Sequence, residues 1–252
     1  MNAPRLPAAT DVEAWASRGI NIVAARQKSL FIGTPVGDRT HMQYTASLAV
    51  TTSLLRTLGI PHAIEFMQGM PVADARNVLS AQFVAGEMSD LLFIDADESW
   101  APLDVLRLLG HGLPLVGAVG RKKIPGSDGD IANWCFDHLD PPARPYDDGI
   151  VEVAAIGTGF MLVNRCVFTM LRDAHPEWER DGLRRNDPPY TEFFHTDLNE
   201  TGRRRLSEDW SFCHRWRAID GRVYADMTIA FAHHGSAEYG GLVSPAEALK
   251  GL

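Results

Sequence analysis

Between residues 29 and 120, short apolar runs alternate with segments of helical periodicity, and no other feature restricts the possible folds of the chain as strongly. Ser29-Leu30-Phe31-Ile32 reads as a first strand, stopped by Gly33-Thr34-Pro35. Residues 41–58 carry apolar side chains at helical spacing and stop at Gly59, which suits a C-cap. Ala63-Ile64-Glu65-Phe66-Met67 is a second strand, and a helix opening on an acidic N-cap at Asp74 leads to a third apolar run at 91–94. Pro102 opens a further helix, and residues 114–119 form the next strand. The order β-α-β-α-β-α-β predicts a parallel sheet with helical crossovers.

The second half reads differently. Residues 121–149 are rich in Gly, Pro and Asp and predict a long loop with a strand near Trp134-Cys135-Phe136. Residues 151–156 alternate in part and lead into Gly157-Thr158-Gly159, followed by the strand-like 160–163. Residues 175–206 are polar and arginine-bearing with little periodicity; a stretch of that length reads as a lid or a disordered segment. Ser207-Glu208-Asp209 then caps a helix running to Gly221, and a last strand, 223–231, runs into His233-His234-Gly235. Residues 1–10 look like a loose arm, and 11–28 like a short helix followed by a basic turn.

The chemistry concentrates where the third apolar run ends. Leu91-Leu92-Phe93-Ile94 gives way at once to Asp95-Ala96-Asp97-Glu98. A buried strand that ends in carboxylates delivers negative charge to the carboxyl edge of the sheet, where open α/β sheets bind their ligands. On extended backbone the i, i+2 aspartates share a side. Oxygen ligands of this kind suit Mg²⁺ or Mn²⁺ holding a diphosphate. Three other clusters lie at element ends: Thr34-Pro35, Arg76-Asn77, and Glu208-Asp209 with His233-His234. Each also has a plain reading. Glu208-Asp209 stabilises a helix N-terminus or supplies a general base. His233-His234 is surface packing or the completion of a metal shell. Arg76-Asn77 is a solvated helical turn or a clamp for phosphate or ribose. Gly157-Thr158-Gly159 forms a bulge or lets backbone approach a ligand. Arg203-Arg204-Arg205 faces solvent or an anionic partner.

Bulk properties remove other classes. A net charge of −8 disfavours a general binder of nucleic-acid backbone. Cys135, Cys166 and Cys213 are few, odd in number and widely spaced, giving neither a disulfide framework nor a zinc site. The opening residues lack a signal-peptide core and no stretch has the length of a membrane span, so the expected location is the cytoplasm.

The order of these pieces is more specific than any one of them. FIGTPVG at 31–37, ARNVLSAQF at 75–83, DLLFIDADESW at 90–100, PLVGAVGRKK at 114–123, IGTGFMLVNRCVF at 156–168, LSEDWSFCHRW at 206–216 and IAFAHHGSAEYGG at 229–241 together resemble a nucleotide-sugar glycosyltransferase of the GT-A fold, family 2-like. The resemblance implies a Rossmann-like, mostly parallel central sheet flanked by helices, with an antiparallel portion on the acceptor side. One domain would span 29–241, divided into a nucleotide-binding half (29–120) and an acceptor and metal half (121–241, with the polar insertion 175–206). The arm at 1–28 and a tail at 242–252 would flank it. Thr34 and Pro35 would border the base, with Arg76 and Asn77 near the nucleotide. Asp95, Ala96 and Asp97 match the DxD stretch at the ribose and metal-bound diphosphate. Asp95, Asp97, and His233 or His234 are the implied ligands of Mn²⁺ or Mg²⁺. Asp209, with Glu208 as the alternative, takes the base position, while Gly157, Thr158, Gly159 and Trp210 would line the acceptor and sugar side.

The implied donor is a UDP- or GDP-sugar, and the acceptor a glycan, a lipid-linked sugar, a protein or a modified nucleic-acid base. Two competing readings stand beside this one. A nucleotidyltransferase acting on sugar phosphates also sets aspartate-held Mg²⁺ on a parallel sheet, but it calls for a Gly-rich phosphate loop, of which Gly33-Thr34-Pro35-Val36-Gly37 is a poor version. In a non-catalytic nucleotide- or sugar-binding module the acidic cluster is only a turn.

Overall fold

In the computed structural model, which describes residues 6–122, 134–139, 145–146, 148–182, 188–199, 201–235, 238–239 and 241, the elements follow one another as two short helices, a strand–helix alternation and a more irregular second half. The first half comprises α1 (Val12–Ala16), α2 (Ile22–Arg26), β1 (Leu30–Val36), α3 (Met42–Thr57), β2 (His62–Gln68), α4 (Val72–Ala85), β3 (Asp90–Ile94), β4 (Glu98–Ser99), α5 (Pro102–His111) and β5 (Leu115–Ala118). The second comprises β6 (Phe136–Asp137), β7 (Ile150–Val153), β8 (Ala155–Ile156), β9 (Phe160–Asn164), α6 (Arg165–Ala174), β10 (Glu179–Arg180), β11 (Tyr190–Thr191), α7 (Glu208–Ala218), β12 (Val223–Asp226), β13 (Ala232–His234) and β14 (Glu238–Tyr239).

Seven strands make the central sheet in the order β2-β1-β3-β9-β5-β12-β7. β2, β1, β3, β5 and β12 point one way, while β9 and β7 run against them. The expected mostly parallel α/β sheet with an antiparallel portion is therefore present. One detail departs from expectation: β9, from the second half of the chain, sits between β3 and β5 and separates strands that are consecutive in the first half.

Alternation along the inner strands divides the core in two. Leu91 and Phe93 of β3 join Leu79, Phe83, Phe168, Phe212 and Trp216 on the face covered by α4, α6 and α7. Leu92 and Ile94 join Trp15, Ile22, Leu54, Leu55, Val105 and Leu108 on the face covered by α1, α2, α3 and α5. Both faces being apolar, β1 and β3 are buried throughout their length. The 11–28 stretch is two helices rather than a helix and a basic turn, and Trp15 within it is fully buried, its indole N–H donating to the Ala8 carbonyl at 2.9 Å.

Several element ends follow local rules. Gly59 takes the left-handed conformation just past α3, and Pro102 starts α5 while the Asp104 carboxylate accepts the Ala101 N–H at 3.1 Å. α4 begins earlier than expected, after Pro71, so Asp74 lies in its first turn instead of at the cap. The expected strand at 223–231 is interrupted. The Asp226 carboxylate accepts the Thr228 N–H and hydroxyl at 2.9 and 2.6 Å, turning the chain before β13.

The described residues of the 175–206 stretch are tied to the core; residues 183–187 and 200 lie outside the described set. Phe193 and Phe194 are buried, and Phe194 stacks on Phe212 with ring centroids 4.6 Å apart. Asn77 exchanges two hydrogen bonds with the Phe194 backbone, at 2.9 and 2.8 Å. Arg215 donates to the Phe193 carbonyl and to the Asp197 carboxylate at 2.7 and 2.6 Å. Phe194→Ala should accordingly destabilise the protein by about 3–5 kcal/mol in denaturant unfolding; a loss under about 1 kcal/mol would return the segment to the role of a mobile flap.

Candidate active site

The carboxyl ends of β1 and β3 lie at one edge of the sheet, and because β9 runs the opposite way its beginning lies there too. Ile94 pairs with Phe160, so the residues just beyond them meet: the Asp95 N–H donates to the Gly159 carbonyl at 3.1 Å. Gly157-Thr158-Gly159 thus stands beside Asp95-Ala96-Asp97, from the other half of the chain. α4 and α7 bring Arg76 and Glu208-Asp209 to the same edge.

Arg76 is the hub. Only 4% exposed, its guanidinium donates to Asp95 Oδ1 at 3.0 Å and to Glu208 Oε1, while Nε has no hydrogen-bond partner. Burial works against its charge, yet Asp95, Glu208 and Asp209 more than offset that, holding the group above its ordinary range. Glu208 is therefore committed to an ion pair. Asp209 Oδ1 accepts from the Ser207 hydroxyl and, at 2.8 Å, from the Trp210 N–H, while Oδ2 faces Gly157. Of the two acids, Asp209 keeps an oxygen toward the open space.

Glu98 was not singled out among the sequence candidates. It is fully buried, with Oε1 2.6 Å from His233 Nε2 and Oε2 without a hydrogen-bond partner. His233 Nδ1 lies 2.7 Å from the Arg121 carbonyl, which can only accept, so the Nδ1 proton is fixed there. The contact between Nε2 and Glu98 then holds a single proton, on the carboxyl or on the ring. The signal available in the sequence was the third carboxylate in four residues; what hid it was that a turn acid is ordinarily exposed.

The two histidines part company. His233 pairs with Glu98 across β13 and β4 and faces the cavity, whereas His234 faces the other side, its Nε2 2.7 Å from the Ser99 hydroxyl. Thr34 is buried with its hydroxyl 2.5 Å from that of Tyr44, while Pro35 borders open space. Asn77 is spent on Phe194, and Trp210, in the first turn of α7, packs against the core. Arg203, Arg204 and Arg205 are exposed.

Two cavities meet at this edge. A cleft of about 430 Å³ is bounded by Pro35, Val36, Asp38, Arg39, Asp95 and Asp97. A deeper hollow of about 140 Å³ is lined by Arg76, Asp95, Glu98, Gly157, Thr158, Gly159, Asp209 and His233, among others. Asp95 belongs to both. Among the described residues no group of three or more His, Cys, Asp or Glu is arranged to hold a metal ion, so the ligand set Asp95, Asp97, His233 and His234 is not brought together. The carboxylates bordering the cleft are those of Asp38, Asp95 and Asp97. One or two carboxylates completed by substrate phosphates is a donor set that Mg²⁺ accepts, and oxygen ligands suit Mn²⁺ as well.

No family model matches the chain, and no curated protein does. Solved structures with a similar chain course include A197 from STIV (16% identity, TM-score 0.46, covering 82% of this chain and 86% of that one). A UDP-glucose pyrophosphorylase complexed with UDP-glucose is similar at 10% identity and TM-score 0.40, covering 88% and 96%. A glycosyltransferase involved in the glycosylation of the major capsid of PBCV-1 is similar at 11% identity and TM-score 0.33, covering 60% and 69%. Likeness at this level assigns no residue and no substrate. No described helix is long and apolar enough to cross a membrane.

Burial pushes the Glu98 carboxyl up to about 7, against the pull of the His233 hydrogen bond. Between the ordinary value of 4.5 and about 7 the folded chain keeps a proton that the unfolded chain has released. The stability linked to that proton is full at low pH and is lost as pH rises across this interval. Tm should fall over that range in the wild type, and Glu98→Gln should flatten the profile; an unchanged slope would place the proton elsewhere. Gly159→Ala would set a methyl 2.0 Å from Glu98 Oε1 and should displace it.

Proposed function

We propose that the chain is a metal-dependent glycosyltransferase that moves a sugar from a nucleoside-diphosphate sugar to an acceptor hydroxyl. The observation that carries this reading is that Asp95 borders both cavities, so that a cleft of about 430 Å³ and a small polar hollow adjoin at the carboxylates ending β3. A donor laid across that junction has its nucleoside in the cleft, its diphosphate at Asp95 and Asp97, and its sugar toward Asp209. The nucleotidyltransferase reading is weaker, since residues 33–36 are the end of strand β1 and supply no phosphate loop.

Each residue then has a chemical task. Pro35 and Val36 wall the base side of the cleft. Asp97, with Asp95, would hold Mn²⁺ or Mg²⁺, which when bound neutralises charge developing on the departing diphosphate. Arg76 keeps Asp95 oriented and adds a fixed positive charge beside the leaving group. Asp209 Oδ2 takes the proton of the acceptor hydroxyl as the new glycosidic bond forms, and attack from the face opposite the diphosphate inverts the anomeric carbon.

Calorimetry with UDP and GDP, with and without Mn²⁺, tests the donor half. One of the two should bind more tightly with the metal, and Asp97→Ala should erase that difference. Nucleotide binding indifferent to both metal and substitution would sink the metal role. A donor screen for slow nucleotide-sugar hydrolysis identifies the substrate, after which Asp209→Asn should lower transfer by roughly 100-fold or more with donor affinity nearly unchanged. Wild-type turnover in that variant would refute the base.

A further inference from the structure

The small hollow has properties that the transfer reading does not use. Its volume of about 140 Å³ is several times the ~30 Å³ share of one water, so it can hold a ring-sized group. Three polar atoms of its lining are buried without hydrogen-bond partners: Glu98 Oε2, Thr158 Oγ1 and Arg76 Nε. Their residues are 0%, 1% and 4% exposed. Buried polar atoms are nearly always satisfied, and three orphans on the wall of one cavity point to a partner that arrives from outside. The partner must accept from the Arg76 N–H and donate to a carboxylate, and the Thr158 hydroxyl can do either. An anion is opposed by Asp95 and Asp209, and a cation by Arg76, while the proton shared with His233 leaves the Glu98 pair neutral overall and Oε2 an acceptor. A neutral polyol satisfies all three. Phe231 in the same lining is an apolar ring of the kind that covers C–H groups, and Gly157 and Gly159 add no side chains of their own to the hollow.

We propose that this hollow is the pocket of the transferred sugar, and that Glu98 and Thr158 select it. Glu98 Oε2 accepts a hydrogen bond from one ring hydroxyl, and the Thr158 hydroxyl and Arg76 Nε–H bond others. Gly159 is required because a Cβ there would lie 2.0 Å from Glu98 Oε1 and displace the carboxylate from its place. His233 holds the other oxygen of Glu98, so it acts as a positioning residue for the acid. The assignment rests on the donor reading above, and it adds which side chains read the sugar.

The test compares sugar nucleotides with their bare nucleotides. UDP-glucose against UDP and GDP-mannose against GDP are titrated into wild type, Glu98→Gln and Thr158→Val, with Tm confirming that each variant is folded. In the wild type one sugar nucleotide should bind more tightly than its nucleoside diphosphate. Both variants should reduce that advantage, by roughly tenfold for Glu98→Gln, with the bare nucleotide unaffected. Deoxy analogues of the preferred sugar should include one that binds poorly to wild type and loses nothing further in Glu98→Gln. Should Glu98→Gln fail to fold, Thr158→Val, which exchanges the hydroxyl for a methyl of similar size, decides alone. Variants that keep the full sugar advantage, or a wild type that gains nothing from the sugar, overturn the pocket while leaving the transferase reading in place. Absence of any nucleoside diphosphate binding removes both.

Discussion

A buried guanidinium has to be answered by negative charge, and this site is arranged around that demand. Arg76 projects from α4 into the sheet edge, where it meets Asp95 from the end of β3 and Glu208 from the start of α7. Leaving such a charge unpaired costs several kcal/mol, so the three elements cannot drift apart without penalty. The pairing also separates two adjacent acids. Glu208 is neutralised, and Asp209 keeps an oxygen toward the cavity. The next residue on α4, Asn77, locks the Phe194 backbone, so two consecutive positions anchor both the polar core of the site and the segment that leads to α7.

The second constraint is the insertion of β9. Antiparallel entry between β3 and β5 places the beginning of one strand at the ends of its neighbours, which is why a glycine pair from residues 157–159 borders carboxylates from residues 95–98. Close approach there depends on the absence of side chains: Gly117 packs within 2.6 Å of the Phe160 carbonyl, measured from where a Cβ would stand, and Gly159 has the same relation to Glu98. Short edge pairings between β4 and β13 then bring His233 over Glu98.

Features governed by neighbours in the chain were legible beforehand. Gly59 and Pro102 mark helix ends because their backbone preferences act within one turn. The apolar run ending at Asp95 read correctly as a strand because burial on both faces needs no alternation. Failures came where a distant partner decides. Phe193-Phe194 is too short an apolar signal to rescue a polar stretch, yet those rings complete the core with Phe168 and Phe212. The break after Asp226 depends on its own carboxylate turning the chain, while Arg107 and His111 hold that carboxylate at 2.6 and 2.8 Å from another helix.

The amino-acid order alone determined the α/β class, the carboxyl-edge position of Asp95 and Asp97, and the presence of an acidic helix start at Glu208-Asp209, because periodicity and caps are local physics. Tertiary structure alone decided which of those groups meet. It consigned Thr34 and Asn77 to packing and turned His234 away from His233. It also buried Glu98, which the sequence presents as one more acid in a turn. The reason is that a side chain's partners are set by strand order and register, and these follow from how both faces of the sheet are covered, which no single segment specifies.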